Sequence, residues 1–361
     1  MQWLHQQLKL LEVKQTPFAV SPPANDKPHW VKPQLIAEVK FQEWTDDHIL
    51  RQATFLGIRD DKRPEEVISA VQEEPAAGEL KVTHPEKIVF PKDKITKADL
   101  IAYYEAMSPY VLPWMNDRPL VMRRFPNGIE SKDFYQQAPD DGALGRIMTI
   151  IGEQGERQKR FVGGDLITLL YTIQMGCISY DPWHARAQSL EYPDYTIIDL
   201  DPVAGASFET VRSVALAVLD NLEEKGLKGA MKTSGASGIH IYLPLPPKTT
   251  WEQGRLVAEI ICGQVAETHP NGTVERMVKK RKKGSIYLDS QQNYMSKSVA
   301  GVWSVRAKPL ATVSTPISRK ELEAGVVPGD FTLKNVVKEA KKRSTMWNKL
   351  MSEPIDLSAL S

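Results

Sequence analysis

The hydrophobic pattern is most legible between Tyr195 and Asp289, where it alternates between the period of two that marks a strand and the period of about 3.6 that marks a helix. Strands are predicted over residues 195–201, 230–234, 240–245 and 285–289. A helix is predicted over 208–225, where Val211, Val214, Ala215, Val218, Leu219 and Leu222 recur at helical spacing and Gly226 follows as a stop. A second is predicted over 251–268, with Leu256, Ile260, Ile261 and Val265 as its stripe. Upstream, Thr96 with Asp99 three residues on reads as a helix start, followed by Leu100, Ile101, Tyr104 and Met107 on one face and a strand over 119–124. Near the N-terminus, Leu35, Ala37, Val39 and Phe41 fall at period two and residues 53–58 form a second short run of strand formers. Residues 1–20 read as a fragmentary apolar stretch, followed by a link bearing Pro22, Pro23 and Pro28.

The order strand, helix, strand, strand, helix, strand predicts an α+β core of the ferredoxin-like or RRM-like kind, with both helices on one sheet face, the other face open and the first strand between the third and fourth. Period two then assigns faces. Asp199 and Asp201 share the face opposite Ile198 and Leu200; Asp289 and Tyr287 oppose Ile286 and Leu288; His240 and Tyr242 oppose Ile241 and Leu243. Three strands thus deliver three carboxylates and an imidazole to one surface. Carboxylates gathered in this way repel one another, and a hard divalent cation held by oxygen ligands relieves the repulsion. Two such ions would suit an in-line displacement at a triphosphate. Between the middle strands, Ser234-Gly235-Ala236-Ser237-Gly238-Ile239-His240 places two glycines three apart, which reads either as a hairpin turn or as a loop whose amides approach an anion. Gly163-Gly164-Asp165 reads as a turn.

Composition adds a boundary and a charge asymmetry. The polar, proline-bearing run 73–78 reads as a linker, which gives domains of 1–75 and 76–361. Residues 1–80 hold 9 Lys+Arg against 13 Asp+Glu, which leaves 37 against 32 in the remainder, although the whole chain balances to +1. The excess concentrates at 276–283, Arg-Met-Val-Lys-Lys-Arg-Lys-Lys, which is either a solvated loop or a run that attracts phosphate. Apolar runs such as 166–170 fall far short of the roughly 20 residues of a bilayer span, and no signal pattern opens the chain. The expected location is cytoplasmic, at the nucleoid. Cys177 and Cys262 sit among apolar neighbours and read as reduced, buried thiols without a catalytic role.

Three segments together carry a specific resemblance: Tyr195-Thr-Ile-Ile-Asp199-Leu-Asp201-Pro202, Thr233-Ser234-Gly-Ala-Ser-Gly-Ile-His240 and Tyr287-Leu-Asp289-Ser-Gln-Gln-Asn293. They resemble the signature motifs of archaeo-eukaryotic primase-polymerases, and in detail those of the polymerase domain of bacterial ligase D. The likeness spans roughly residues 80–345, including Lys87, Lys97, Arg118-Pro119, Arg124, Phe134-Tyr135, Pro182-Trp183 and Arg306. It implies that Asp199, Asp201 and Asp289 bind manganese or magnesium, with Asp289 also helping to deprotonate a primer 3′-hydroxyl. It implies that Ser234, His240, Arg306 and Lys297 contact a nucleoside triphosphate. Lys87 and Lys97 would hold the 5′-phosphate of gapped or broken DNA, Phe134 or Tyr135 would stack on a template base, and Arg124 would lie near the template strand. Three positions depart from the family pattern: Ser237 stands where a lysine is frequent, Asp181 where a histidine precedes Pro-Trp, and Gln137 where a lysine follows the aromatics.

Residues 29–68 resemble the C-terminal half of the OB domain of an ATP-dependent DNA ligase. No Lys-x-Asp-Gly nucleophile motif is present, so nick sealing is not expected. The chain is then one part of a split ligase D or a piece of a longer product. The resemblance implies a gap-filling and end-extending polymerase of non-homologous end joining that prefers ribonucleotides, with a Ku-type end-binding protein and a DNA ligase as partners. Two other readings remain, a primase that starts chains without a primer and a non-catalytic module that tethers a ligase to DNA ends.

Overall fold

The computed structural model describes residues 2–17, 28–40, 43–44, 50–51, 53–59, 80–140, 142–152 and 155–360. The chain divides into two units, Met1–Val71 and Gln72–Ser361. The predicted linker at 73–78 lies outside the described residues, as do Pro22, Pro23 and Phe41. In the first unit Ile36–Lys40 pairs antiparallel with Thr54–Arg59, and Glu43–Trp44 with Leu50–Arg51. A helix, Gln2–Leu10, precedes them where only a fragmentary apolar stretch was read. Its signal is the spacing of Leu4, Leu8 and Leu11, which are half-buried while Leu10 faces solvent.

In the second unit a short strand pair, Ile88–Phe90 with Ile95–Thr96, leads into helix α1, Lys97–Met115, entered through a capping box between Thr96 and Asp99. Strands β1 (Leu120–Arg124), β2 (Phe134–Gln136) and β3 (Cys177–Pro182) form a small antiparallel sheet in the order β2-β1-β3. Helix α2, Leu166–Gln174, starts at Asp165, whose side chain accepts from the Thr168 amide, so Gly163-Gly164-Asp165 is a turn that caps a helix.

The larger sheet contains β4 (Tyr195–Pro202), β5 (Ala230–Thr233), β6 (Ile239–Pro244), β7 (Gly272–Thr273) and β8 (Ile286–Asp289), in the order β5-β6-β4-β8-β7. The first of the four predicted strands, β4, therefore lies between the third and fourth. Helices α3 (Phe208–Glu224) and α4 (Trp251–Thr268) alternate with these strands and are capped by Ser207 and Thr250. Their buried stripes pack with Ile198, Leu200, Ile241, Leu243, Ile286 and Leu288 in one core. On α4 the buried face is Val257, Ala258, Ile261, Cys262 and Val265, so the stripe is rotated from the expected one and Leu256 is exposed.

The opposite sheet face is not open along its length. Tyr195, Ile197, Ala230 and Tyr242 are buried in a second core with α1, α2, β3, Trp303 and Trp347, the last on helix α5, Ala340–Met351. The aromatic and apolar residues that alternate with the acidic ones on that face require this cover. Only the end bearing Asp199, Asp201 and Asp289 remains for chemistry. Tyr104 ties the cover together: its hydroxyl donates to the Ile178 carbonyl at 2.7 Å and accepts from the Val305 amide at 3.0 Å. Cys177 and Cys262 are free and buried, and burial pushes the Cys177 thiol up to about 12, consistent with inert thiols.

His184 is fully buried beside Tyr195 and Trp251, and neither ring nitrogen has a hydrogen-bond partner. Burial, then the charge of Arg118, lower its pKa from 6.5 to about 3. The unfolded chain therefore takes up this proton first as pH falls. Stability is full above the unfolded value and is lost between about 6.5 and about 3. At pH 5 this loss is about 2 kcal/mol. His184→Phe should remove it, so the melting temperature of the variant should fall less than that of wild type between pH 7 and pH 5; an equal fall would refute the assignment.

Candidate active site

Antiparallel register sets one row of side chains across the sheet. Lys232 on β5 pairs with His240 on β6, His240 with Asp199 on β4, and Asp199 with Asp289 on β8. One step along, Asp201 faces Tyr287. Four of the predicted residues, Asp199, Asp201, Asp289 and His240, thus meet at one end of the sheet. The electrostatics are strained. Burial first, then the charges of Asp201 and Asp289, hold the Asp199 carboxyl well above the usual carboxylate range. Asp201 lies at the solvent-facing rim, and desolvation followed by Asp289 raises it, with Arg281 opposing. Asp199 Oδ1 is buried with no hydrogen-bond partner, and His240 Nε2 lies 3.4 Å from it.

The donor set, three carboxylates with an orphaned buried oxygen, suits a hard cation. In the conformation described, Asp289 is turned toward its own loop: Oδ1 accepts from the Gln291 amide at 2.7 Å and Oδ2 from Gln292 Nε2 at 2.9 Å. Among the described residues no three acidic, histidine or cysteine side chains converge closely enough to hold a metal ion. Each Asp289 oxygen keeps a second lone pair, so these bonds do not preclude coordination.

The turn between β5 and β6 is built for close approach. Ser234 Oγ accepts from the amides of Ala236 at 3.1 Å and Gly238 at 3.0 Å. Gly235 has a φ of +69°, and a Cβ there would meet Arg306 Cγ at 2.6 Å. Arg306 in turn donates to the Ser234 carbonyl at 3.0 Å, which seats its guanidinium on the turn. Ser237 is exposed at the tip. Lys297 is exposed, and no hydrogen bond or ion pair of its ammonium ties it to the acidic cluster. Asp181, at the end of β3, is a neighbour of Arg306, Lys232 and Arg123; burial raises its pKa and the Arg306 charge opposes that.

Lys87, Lys97 and Arg124 gather elsewhere, around a cavity of about 240 Å³ between α1, α2 and β1. Lys97 Nζ donates to the Thr83 carbonyl at 2.7 Å, and burial, then the charge of Lys87, lower its pKa. The resulting pocket is cationic and concave. Beside it, Phe134 and Tyr135 are exposed, with the guanidinium of Arg124 5.1 Å from the first ring and that of Arg123 5.6 Å from the second. Gln137 lies exposed just beyond β2. The basic run 276–283 leads into β8 with its lysines exposed, while Arg281 folds over the Tyr287 ring at 3.4 Å.

Lys232 is the site residue that sequence reasoning missed. It is fully buried, and Nζ lies 2.7 Å from His240 Nδ1. The signal was its position between Met231 and Thr233 in a strand whose every residue is buried.

Residues 96–347 match the LigD primase-polymerase domain family. The chain belongs to that family. Residues 1–62 also match the C-terminal region of ATP-dependent DNA ligases. Among curated relatives, the multifunctional non-homologous end joining protein LigD of Pseudomonas aeruginosa is 28% identical over 344 residues, covering 89% of this chain and 40% of that protein. The bifunctional LigD of Bacillus subtilis is 30% identical over 292 residues, covering 79% of this chain and 47% of that protein. The LigD-family chain thus spans less than half the length of these relatives. The polymerase domain of Mycobacterium tuberculosis ligase D, solved in complex with DNA, matches with a TM-score of 0.69 at 21% identity, covering 77% of this chain and 99% of that one, a likeness of fold. No helix among the described residues is long and apolar enough to cross a membrane.

Proposed function

We propose that the chain is a template-directed nucleotidyltransferase that fills gaps and extends 3′ ends at DNA breaks in non-homologous end joining. The observation that carries the reading is the row His240–Asp199–Asp289, with Asp201 one step along, at the uncovered end of a sheet in a LigD-family fold. The larger sheet is then an RRM-like catalytic core, residues 1–75 a partial ligase-type OB domain, and 76–361 the polymerase domain.

Asp199, Asp201 and Asp289 would hold two divalent cations, manganese or magnesium, which supply charge neutralisation at the triphosphate and ease ionisation of the attacking hydroxyl. The primer 3′-oxygen attacks the α-phosphorus in line; the new O–P bond forms as the bond to the β-phosphate bridge breaks, and pyrophosphate leaves. The hydroxyl proton passes toward Asp289. Ser234, His240 and Arg306 bind the triphosphate, and Lys297 reaches it from the exposed segment that follows. The pocket of Lys87 and Lys97 takes the 5′-phosphate across the gap, which favours gapped over single-ended duplexes. Phe134 or Tyr135 stacks on a template base, with Arg124 near the template strand. Ribonucleotide preference, absence of nick sealing, a Ku-type protein and a DNA ligase as partners, and a place at the nucleoid complete the proposal.

The test is extension of a labelled primer across a gapped duplex with manganese and each nucleoside triphosphate, with a 5′-phosphate or a 5′-hydroxyl at the far side of the gap. Wild type should add templated nucleotides, at least several-fold more efficiently with the 5′-phosphate, and Asp201→Asn should add none while still binding the gap. Extension that survives in Asp201→Asn would sink the site assignment. No extension by wild type, with the gap still bound, would leave a tethering module.

A further inference from the structure

A carboxylate on a helix surface commonly pairs with one cation a turn away, a contact worth little. Glu259 on α4 gathers more than that. Its Oε1 receives three donors from three segments: Arg255 Nη1 on the preceding turn at 2.7 Å, Arg276 Nη2 at 3.1 Å and Gln291 Nε2 at 3.1 Å. Arg276 opens the basic run 276–283 ahead of β8, and Gln291 stands two residues past Asp289, behind it. The two flanks of the strand that carries Asp289 thus converge on one oxygen. The helix that supplies it is anchored, since its other face is packed in the core through Val257, Ala258 and Ile261.

The Gln291 contact matters because of what its loop does for Asp289. The Gln291 amide donates to Asp289 Oδ1 at 2.7 Å, and Gln292 Nε2 donates to Asp289 Oδ2 at 2.9 Å. Where this loop sits decides where the carboxylate aims. Its far end is pinned independently to β4: Asn293 Oδ1 accepts from the Ile197 amide at 2.8 Å, and Nδ2 donates to the Ile197 carbonyl at 2.7 Å and the Ser290 carbonyl at 2.9 Å. With Asn293 fixed, residues 290–292 are the part left to place, and α4 reaches them through Glu259. A carboxylate oxygen shared with two guanidinium groups accepts, so it selects the Gln291 orientation that presents Nε2, which also donates to Ser290 Oγ at 3.0 Å. Arg255 adds a second hold, with its guanidinium 5.1 Å from the centre of the Tyr294 ring.

We propose that Glu259 is a positioning residue for Asp289: its carboxylate ties the loop behind β8 to the basic run ahead of it, so that the run and the Asp289 carboxylate are held in one arrangement. The role of Asp289 in metal binding rests on the nucleotidyltransferase reading above; the tether does not. The path Arg276–Glu259–Gln291–Asp289 is made of hydrogen bonds in which no group has to change its charge. Carboxylates that ligate a metal are commonly aimed by such outer partners, whose loss costs about tenfold or more in metal affinity or activity. Arg276 is mostly exposed at the start of the run, so the same carboxylate that aims Asp289 also meets the segment whose lysines face solvent.

The experiment combines a structural and a binding readout on the full chain. The side-chain amide signals of Gln291, assigned by their loss in Gln291→Ala, are followed by NMR without metal, and manganese binding is titrated by electron paramagnetic resonance. In wild type the Gln291 Nε2 signals should stand apart from those of solvated glutamines. Glu259→Ala should return them to the solvated position, weaken manganese binding about tenfold and lower kcat by a similar factor, with KM for nucleotide and the melting temperature nearly unchanged. Glu259→Gln keeps an acceptor oxygen and should recover most of both losses. A merely structural glutamate would lower the melting temperature and leave manganese affinity alone; that result, or Gln291 signals that do not move in Glu259→Ala, overturns the proposal. Arg276→Ala tests the other flank. Its effect on manganese affinity should vanish in the Glu259→Ala background, and equal effects in both backgrounds overturn the link to the run. Wild type that shows the tethered Gln291 signals yet transfers no nucleotide would instead refute the nucleotidyltransferase reading.

Discussion

Asp199→Asn should abolish primer extension and, in the absence of metal, raise the melting temperature. The two effects have one cause. Asp199 is buried between His240 and Asp289, and burial with the charges of Asp201 and Asp289 holds its pKa well above the unfolded value of 3.8. A carboxyl raised in this way binds its proton more tightly folded than unfolded, so stability is greatest at acid pH and declines as pH rises from the unfolded value through the folded one. At neutral pH the carboxylate is a liability that asparagine lacks. Removing it should contribute about 2 kcal/mol, or about 3 °C in a unit that spans Gln72–Ser361. Activity moves the other way, because the proposed ligand set loses a charge: a fall of at least about a thousandfold in kcat is expected, on the order of 4 kcal/mol of transition-state stabilisation. Thermal melts with and without manganese separate the two. Wild type should gain stability with the metal in proportion to binding, and Asp199→Asn should gain little. A variant that melts lower than wild type and responds equally to manganese would show that Asp199 is structural.

Much of this site was legible because period two is unforgiving: a one-residue error would have placed Asp199, Asp201 and Asp289 among the apolar helices. Strand pairing was less legible. That Asp199 faces both His240 and Asp289 depends on the register of β4 with β6 and β8, strands that no short turn joins to it and that tertiary contacts must align. The open face was misread since Tyr195, Ile197 and Tyr242 alternate with the polar residues on it, and large apolar side chains there demand a covering layer. Lys232 escaped for a related reason: a lysine is read by default as solvent-facing, and only the segment covering β5 makes it buried. The same default hid the burial of Lys97, whose proposed contact with a 5′-phosphate came from resemblance alone, against the Thr83 carbonyl.

Gly238→Ala should couple stability to activity through a single added methyl group. A Cβ at Gly238 would lie well inside contact distance of the Leu200 carbonyl oxygen, which is rigid strand backbone. The neighbouring bonds leave little room to yield. The Gly238 amide donates to Ser234 Oγ at 3.0 Å and its carbonyl accepts from the Ser234 amide at 2.9 Å, so a shift at Gly238 unpicks the turn while a shift at Leu200 displaces β4. Leu200 stands between Asp199 and Asp201, and any movement of its peptide re-aims both carboxylates. Overpacking against backbone should destabilise by about 3 kcal/mol, and catalysis should fall tenfold or more in the protein that remains folded. Gly263→Ala is the matched control. Gly263 lies within α4, where an added Cβ meets nothing within 4 Å, so the same chemical change should stabilise by up to about 1 kcal/mol through helix propensity and leave extension intact. Opposite signs in thermal melts, with the activity loss confined to Gly238→Ala, would show that the turn between β5 and β6 holds the acidic residues in register. Similar small effects at both positions would mean that β4 yields more readily than its hydrogen bonds to both neighbours imply.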